Sequence, residues 1–237
     1  MTAGPTTAMV LAAGLGTRMR PLTDAIPKAL VPVAGRTLLD RVLDKLADAG
    51  VTRAVVNVHH FADQVEAHLA ARSDLEILIS DERGGLLDSA GGIQHARALL
   101  GEAPIFVANI DSLWLEGETP ALEALKAAWE PARMDLLLLL VARGSGIGFE
   151  GPQGFLMDAE RRLTHSASPD VVTPFANVGF AILKPRILDG QADAAFSIVP
   201  IWHRLQAQGR LYGAVMDAFW MHVGDPAARD AAEARLR

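Results

Sequence analysis

The sequence predicts an α/β protein with a doubly wound, mainly parallel sheet and a small sheet-rich C-terminal portion. Over residues 1–145, short apolar runs alternate with segments whose apolar residues recur at helical spacing. One of these runs, residues 135–141, is almost continuously apolar, as expected of a strand at the centre of a parallel sheet. After Arg143 the alternation stops, and glycine and proline become frequent.

The elements of the first part follow one another in regular order. The run at 9–13 is typical of a buried strand. The segment 38–49 is typical of a helix, with Gly50 where a C-terminal cap glycine belongs. Further strands are predicted at 54–58, 75–79, 105–108 and 135–141, and further helices at 63–69, 91–100 and 120–129. In the helix at 91–100, the residues expected to face inward are Ile93, Ala96, Leu99 and Leu100.

The second part begins with a glycine-rich stretch that predicts a loop and hairpin region, residues 144–154. One more strand is predicted at 175–183, and an alanine-rich helix with alternating charges at 225–237. No internal repeat or low-complexity linker separates the two parts. We therefore expect a single domain, 1–237, made of a first part, 1–145, and a second, sheet-rich part, 146–237.

Composition excludes several classes of function. The formal net charge is −6, which argues against binding to nucleic acid or to an anionic membrane. There is no cysteine, so disulfides and thiolate metal sites are excluded. The N-terminus lacks a basic region before its short apolar run, and the longest apolar run, 134–142, is too short to span a bilayer. We expect a cytoplasmic protein; its oligomeric state is left open.

The loop after the first strand is the strongest chemical signal. Gly14 and Gly16 let a polyanion approach the backbone, and Arg18 and Lys28 add positive charge to an acidic chain. A tight turn without a ligand would also explain two glycines. A dinucleotide fingerprint fails because its third glycine is replaced by Met19, and the Walker A spacing is absent.

The full motif extends well beyond the two glycines. It has the form G-x-G-T-R-x-x-P-L-T-x-x-x-P-K and comprises Gly14, Gly16, Thr17, Arg18, Pro21, Leu22, Thr23, Pro27 and Lys28. It resembles the signature of the sugar-1-phosphate nucleotidyltransferases. Residues 89–93 resemble that family's base-contacting loop, 109–111 its metal-binding strand end, and 220–224 its closing W-x-D-x-G motif. The resemblance covers essentially the whole chain and implies a Rossmann-like, GT-A-like nucleotidyltransferase fold. It also implies that 1–145 is the nucleotide-binding part and 146–237 the sugar-binding and metal-completing part.

The resemblance implies transfer of a nucleotidyl group from an NTP to a sugar 1-phosphate, with release of pyrophosphate. Because the chain is compact and carries no appended β-helix, it most resembles the N-acetylmuramate-1-phosphate uridylyltransferases of peptidoglycan recycling. UTP and N-acetylmuramate 1-phosphate are then the expected substrates. Two alternatives stay open. One is a glucose- or mannose-1-phosphate enzyme using UTP, dTTP or GTP, and the other is a regulator that binds nucleotide sugars without turnover.

Site residues carried over from the resemblance fall into groups. Arg18 is expected to hold the triphosphate with its planar guanidinium, and Lys28 to reach the α-phosphate and the attacking phosphate. The expected nucleotide-binding residues are Leu11, Ala12, Ala13, Gly14, Gly16, Thr17, Arg18, Glu82 and Gly91. The expected sugar-binding residues are Asn57, Asn109, Asn177 and Gly179. The lysine that holds the sugar phosphate in many relatives is missing from 164–170, so either Lys28 or Arg143 replaces it or the contact to the phosphate is weaker.

The metal site departs from the family. Asp111 is expected to hold Mg²⁺, with Mn²⁺ as an option, but the second carboxylate of the family falls at His222. Imidazole suits transition ions better than Mg²⁺. Three possibilities follow: His222 binds a softer metal or reaches Mg²⁺ through water, Asp225 replaces it as a ligand, or the second ligand is missing and the enzyme is slow or inactive.

Overall fold

The computed structural model describes residues 4–237, so the first three residues of the predicted domain lie outside the described part. A nine-stranded mixed sheet forms the centre, and a three-stranded and a two-stranded sheet lie beside it. The strands are β1 (Thr7–Leu11), β2 (Pro32–Val33), β3 (Arg36–Thr37), β4 (Arg53–Val58), β5 (Glu76–Asp81), β6 (Ile105–Asn109), β7 (Ser112–Leu115), β8 (Leu136–Ala142), β9 (Gly146–Ile147), β10 (Gly154–Met157), β11 (Leu163–Ser166), β12 (Phe175–Leu183), β13 (Leu211–Val215) and β14 (Phe219–His222). The helices are α1 (Leu38–Asp48), α2 (Ala62–Leu69), α3 (Asp88–His95), α4 (Arg97–Leu100), α5 (Ala121–Ala128), α6 (Val199–Ala207) and α7 (Pro226–Leu236).

The first half of the central sheet is parallel. Its order is β6, β1, β4 and β5, and the carboxyl ends of β1, β4 and β6 therefore meet at one edge. These strands confirm the predictions at 9–13, 54–58, 75–79 and 105–108 to within two residues at each end. The loops that leave this edge carry most of the predicted site residues, as expected of an open α/β sheet.

The second half of the sheet is organised around β12. This strand pairs antiparallel with β6 on one side and with β8 on the other, and its register shifts between Asn177 and Ala181. Strand β8 is almost wholly buried, as predicted, but its neighbours are the antiparallel β12 and the parallel β13. An unbroken apolar run reports burial on both faces of a sheet and carries no information about the direction of the neighbouring strands.

Helices cover both faces of the sheet, which confirms the doubly wound arrangement. Ala8 and Val10 of β1 face one core with α1, α2 and α5, whereas Met9 faces a second core with α3, α4 and α6. A third, smaller core joins the loop after β1 to the C-terminal segment through Met19, Leu113 and Met221. No helix within residues 4–237 combines the length and hydropathy needed to cross a membrane.

The structure changes one helix prediction and confirms another. The segment predicted as one helix at 91–100 begins earlier, at Asp88, and is divided at Ala96 into α3 and α4. The division turns Leu99 outward, where it is 36% exposed, and the prediction that it faces inward is wrong. The predicted helix at 38–49 is confirmed: the Thr37 side chain caps α1 by accepting from the Asp40 amide, and Gly50 has a φ of 88°.

Candidate active site

The loop after β1 is a compact turn held by Thr23. Gly16 adopts a φ of 65°, and the Thr23 hydroxyl donates to its carbonyl over 2.8 Å. A Cβ atom at Gly16 would lie 3.0 Å from the Cβ of Lys28, so both conformation and space require glycine here. Within residues 4–237, no backbone carbonyl accepts from the amides of Gly14 and Gly16. These amides are available to a ligand at the edge of the sheet.

Asn57 explains the shape of that loop, and its predicted role in sugar binding is corrected. It lies at the end of β4 and is 2% exposed. Its Oδ1 accepts from the amides of Ala12 and Ala13 over 2.6 and 3.2 Å, and its Nδ2 donates to Oε1 of Glu82 over 2.7 Å. The Asn57 side chain therefore holds the backbone of the loop in place through these hydrogen bonds. The amides of Ala12 and Ala13 are occupied as well, so they offer no hydrogen bond to a nucleotide.

Glu82 and Gly91 also hold the surrounding backbone in place, and neither is accessible to the flat ring of a nucleotide base. Glu82 is 2% exposed, and its Oε2 also accepts from the Leu87 amide over 3.2 Å. A Cβ atom at Gly91 would lie 2.4 Å from the Ala194 carbonyl oxygen, and the Gly91 amide donates to Phe196. Both predicted base contacts are therefore corrected. The segment 194–196 covers α3 at Gly91, and Glu82 and Gly91 hold the backbone there in place.

Lys28, Asp111 and His222 form a partly buried charged cluster. Lys28 Nζ lies 2.8 Å from Oδ2 of Asp111, and Nε2 of His222 lies 3.4 Å from the same oxygen. Asp111 follows β6, Lys28 opens the short 3₁₀ turn Lys28–Leu30, and His222 ends β14. The structure thus brings together three residues that are distant in sequence and that the motifs singled out separately.

Electrostatics favour the ionised form of Asp111 at the centre of this cluster. Burial alone would raise the pKa of Asp111, but the hydrogen bond from His222 and the positive charge of Lys28 outweigh it and keep the pKa of Asp111 well below its usual range. Burial alone would lower the pKa of His222, but the Asp111 carboxylate outweighs it and raises the pKa of His222. Asp111 therefore offers an ionised carboxylate to whatever binds beside it.

The donor set at Asp111 and His222 fits a divalent cation. Nδ1 of His222 lies 2.9 Å from the Gly148 carbonyl oxygen, which orients the ring and directs Nε2 toward Asp111. Histidines that bind metals commonly hold the second ring nitrogen in this way. Within residues 4–237, no cluster of three or more acidic or histidine side chains could enclose a metal. A cation here would need further ligands from substrate or water.

Asp225 is not part of this pair. Its Oδ1 accepts from the Ala228 amide over 2.9 Å and caps the N-terminus of α7. It also does not line the cavity above Asp111 and His222. The prediction that Asp225 completes the metal site is therefore corrected, because an aspartate followed directly by Pro226 is a strong helix-start signal.

The remaining predicted sugar residues lie together above the cluster. Asn109, Asn177 and Gly179 line a cavity of about 380 Å³ that also contains Arg18, Asp111 and His222. Gly179 has a φ of 84° at the bulge of β12, and a Cβ atom there would lie 2.8 Å from Nδ2 of Asn109. The bulge thus leaves room for the Asn109 amide at the cavity wall.

Arg143 has a different role from the one expected. Its guanidinium donates to the carbonyl oxygens of Gly151, Pro152 and Gln153 over 2.9, 3.1 and 2.7 Å, and its Nε donates to that of Thr173 over 2.6 Å. These acceptors occupy its donors, so Arg143 is not placed to bind a sugar phosphate. It instead fixes the segment 149–153, which forms one wall of the cavity.

Several residues of the cavity were missed by the sequence analysis. Ser112 donates to the Val178 carbonyl and accepts from the Trp220 indole over 3.1 Å, which joins β7, β12 and β14. The Phe149 ring lies 5.6 Å from that of Trp220 and 6.3 Å from that of His222. The glycines at 144–154 predicted a loop but not its location. The pairing of β9 with β14, the strand that ends at His222, places this loop beside the site.

Comparisons with known proteins match this arrangement. The MobA-like NTP transferase domain matches residues 8–147. The N-acetylmuramate alpha-1-phosphate uridylyltransferase of Caulobacter vibrioides is 51% identical over 240 residues, which cover 100% of this chain and 99% of that protein. The protein of the same name from Neisseria meningitidis is 34% identical over 92% of each chain.

Solved structures share the fold at lower identity. The inositol-1-phosphate CTP transferase from T. maritima has a TM-score of 0.78 and 18% identity, covering 95% of this chain and 91% of that chain. A UDP-glucose pyrophosphorylase complexed with UDP-glucose has a TM-score of 0.79 and 15% identity, covering 98% of each. These similarities confirm the fold predicted from the sequence.

Proposed function

This chain belongs to the sugar-1-phosphate nucleotidyltransferase family with a MobA-like NTP transferase domain, and on that premise we propose that it transfers the uridylyl group of UTP to N-acetylmuramate 1-phosphate. The products are UDP-N-acetylmuramate and pyrophosphate. The observation that carries the proposal is the cluster of Lys28, Asp111 and His222 beside the Gly14–Arg18 loop, at the edge where the parallel strands end. The relative that is 51% identical supports the choice of base and sugar.

The reaction is a displacement at the α-phosphorus. A phosphate oxygen of the sugar 1-phosphate forms the new P–O bond, and the bond from the α-phosphorus to the bridging β-oxygen breaks. The nucleophile needs no general base because the second pKa of a phosphate monoester is about 6. Both reactants are anionic, so the protein's task is to position them and to neutralise their charge.

Positive charge and free amides meet this requirement on the triphosphate side. The amides of Gly14 and Gly16 lie free for phosphate oxygens, and Arg18 lines the same cavity as Asp111. Lys28 lies between that loop and Asp111, and we place the α-phosphate beside its ammonium group. We assign Lys28 the stabilisation of charge at the reacting phosphorus and Arg18 the binding of the departing pyrophosphate.

Asp111 and His222 would hold a divalent cation, Mg²⁺ or Mn²⁺. When bound, the cation would neutralise phosphate charge and orient the oxygens of the triphosphate. The protein's own contribution is to fix the two ligands. The Gly148 carbonyl orients the His222 ring, and Lys28 keeps the Asp111 carboxylate ionised. Because imidazole suits Mn²⁺ better than Mg²⁺, we propose that Mn²⁺ supports activity at least as well.

The cellular role that fits these substrates is recycling of peptidoglycan sugars in the cytoplasm. N-acetylmuramate is a component of that polymer, and its uridylylation would return the sugar to an activated form. UTP is a cytoplasmic nucleotide, which supports the proposed location.

The test is pyrophosphate release across a matrix of substrates. N-acetylmuramate, N-acetylglucosamine, glucose and mannose 1-phosphates are each paired with UTP, dTTP, CTP and GTP, with Mg²⁺ or Mn²⁺. We expect the highest kcat/KM for N-acetylmuramate 1-phosphate with UTP, and a loss of about 10²–10³-fold in kcat for Lys28→Ala. Lys126→Ala is the matched control, because this lysine of α5 contacts Glu123 and the Ala49 carbonyl oxygen and does not line the charged cavity above Asp111 and His222. Release with a glucose or mannose phosphate alone would replace the proposed sugar, and no release alongside nucleotide-sugar binding would contradict the enzyme.

A further inference from the structure

Two histidines meet at one edge of the central sheet, outside the charged cavity above Asp111 and His222. His165 lies on β11 and His203 on α6, and Nδ1 of His165 is 3.1 Å from Nε2 of His203. Strand β11 is the edge strand of the sheet on this side, and α6 packs against it. Neither histidine lines the charged cavity. Because the two residues are 38 positions apart in the chain, only the fold brings their rings together.

This pair lacks the acidic partner that other histidines of the chain have. His68, His95 and His222 each lie beside a carboxylate. Within residues 4–237, neither His165 nor His203 forms an ion pair with an aspartate or a glutamate. Two imidazole nitrogens without a carboxylate suit transition ions such as Zn²⁺, Cu²⁺ and Ni²⁺, whereas Mg²⁺ and Ca²⁺ prefer oxygen ligands. The chemistry of the pair therefore differs from that of the cluster at Asp111.

The separation of the two nitrogens is the one that neighbouring ligands of a metal ion have. Bonds from zinc to imidazole nitrogen are about 2.0–2.1 Å long. Two such bonds to nitrogens 3.1 Å apart would meet at an angle of about 100°, between the octahedral and the tetrahedral values. In the hydrogen-bonded pair the two nitrogens face each other, so each ring needs a modest rotation to face a common ion. The backbone of β11 and α6 does not need to move.

Binding a metal here would disturb few contacts within the protein. Without a metal, one ring donates its N–H to the other. To bind an ion, that ring must carry its proton on its second nitrogen. Within residues 4–237, the second nitrogens, Nε2 of His165 and Nδ1 of His203, make no hydrogen bond, so this change of tautomer sacrifices no other contact. His203 is exposed, so solvent can deliver the ion and supply water as its remaining ligands.

We propose that His165 and His203 bind a divalent transition ion such as Zn²⁺ through Nδ1 and Nε2, with water completing its coordination. The ion fastens α6 to the edge strand of the central sheet. It stabilises the folded chain, because the unfolded chain does not hold the two rings together. This site is separate from the candidate active site and does not depend on the proposed function.

The test is calorimetric titration of the full chain, without an affinity tag, with Zn²⁺. His222→Ala is introduced first, so that the charged cluster contributes less to metal binding. In this background, His165→Gln and His203→Gln should each weaken the affinity at least about tenfold, because a single imidazole remains. His60→Gln, at an exposed histidine beside Phe61, is the matched control and should leave the affinity unchanged.

Fluorescence and thermal unfolding give independent readouts. The centroid of the Trp202 ring lies 5.3 Å from that of the His165 ring, so Cu²⁺ bound at the pair should quench Trp202. In the same background, His203→Gln should remove this quenching at equal Cu²⁺ concentration and abolish the rise in Tm that Zn²⁺ produces. In the otherwise native chain, His203→Gln should leave the rate of pyrophosphate release unchanged, since the pair lies outside the charged cavity.

His203→Gln decides the outcome, because His203 is exposed and its substitution does not threaten the fold. A Zn²⁺ affinity that His203→Gln leaves unchanged overturns the inference. The absence of saturable Zn²⁺ binding below about 1 mM overturns it as well.

Discussion

His222 is the residue that most distinguishes this site from its family. It stands where the resemblance places a carboxylate, and we propose that it serves as a metal ligand there, because Nε2 faces Oδ2 of Asp111 at 3.4 Å and Nδ1 is held by the Gly148 carbonyl oxygen. The replacement exchanges a hard oxygen for a softer nitrogen. It also leaves the site with one negative charge fewer than a pair of carboxylates, which weakens its attraction for a hard, strongly hydrated cation.

His222→Asp should therefore shift the metal preference toward Mg²⁺. We expect the ratio of activity with Mg²⁺ to activity with Mn²⁺ to rise about tenfold, the scale at which metal-site substitutions commonly act. Metal titrations of initial pyrophosphate release measure this ratio. His203→Asp on α6 lies outside the charged cavity and serves as the control. An unchanged ratio in His222→Asp would mean that His222 does not contact the metal.

At the scale of elements, helix α7 and the loop 149–153 support the site without touching the reacting atoms. Asp225 caps α7, and this helix packs near β14 through the small third core, which holds Met221 beside His222. Arg143 plays a comparable part for the loop, since it ties together carbonyl oxygens of three consecutive residues.

Two substitutions at Asp225 test whether its side chain caps helix α7 or binds the metal. Asparagine caps a helix about as well as aspartate, whereas alanine does not. We expect Asp225→Ala to lower the free energy of unfolding by about 1 kcal/mol and Asp225→Asn to change it little. Neither should alter the metal preference. Chemical denaturation and the same metal titrations measure both properties. A large loss of activity in Asp225→Asn would restore the aspartate to the metal site.

Arg143→Lys should loosen one wall of the sugar cavity. A lysine ammonium cannot reproduce the planar set of donors that contacts four carbonyl oxygens. We expect the KM for the sugar 1-phosphate to rise about tenfold while the KM for UTP stays within about twofold, since the loop lies on the sugar side. Steady-state kinetics with each substrate varied in turn test this. Arg133→Lys, an exposed arginine over Tyr212, is the control, and a parallel rise in both KM values would argue for general destabilisation.

For the molecule as a whole, the sequence predicted the layers of the fold and the residues of the charged cluster. It did not predict the direction of every neighbouring strand or the contacts that support the site. The alternation of strands and helices predicted the fold. The motifs predicted that Lys28 and Asp111 belong to the site. The periodicity could not give the direction of the neighbours of β8, because burial looks the same in either case. The packing of Gly91 against 194–196 and the use of Asn57 as a brace depend on contacts between distant segments. A single sequence does not encode these contacts locally.

Asp135 links three distant parts of the chain, and its charge should make stability depend on acid pH. Asp135 directly precedes β8, and its carboxylate lies within 3.0 Å of Lys184 and Arg186, which follow β12, and of Arg210, which precedes β13. Burial alone would raise the pKa of Asp135, but hydrogen bonds from Arg210 and Lys184 outweigh it and hold that pKa well below its usual range. The native state therefore binds this proton less readily than the unfolded chain does, so the stabilisation is complete above the unfolded pKa of about 4 and is lost as pH falls below it.

Asp135→Asn should remove this stabilisation and leave three cations facing one another. We expect a loss of about 2 kcal/mol in the free energy of unfolding near neutral pH. The gap between the variant and the wild type should stay constant down to about pH 5 and narrow steadily below about pH 4. Urea denaturation at a series of pH values measures the gap. Asp230→Asn, an exposed carboxylate beside Arg229, should show almost no gap at any pH. A gap for Asp135→Asn that persists unchanged into acid would mean that the asparagine perturbs packing and that the ion cluster contributes little.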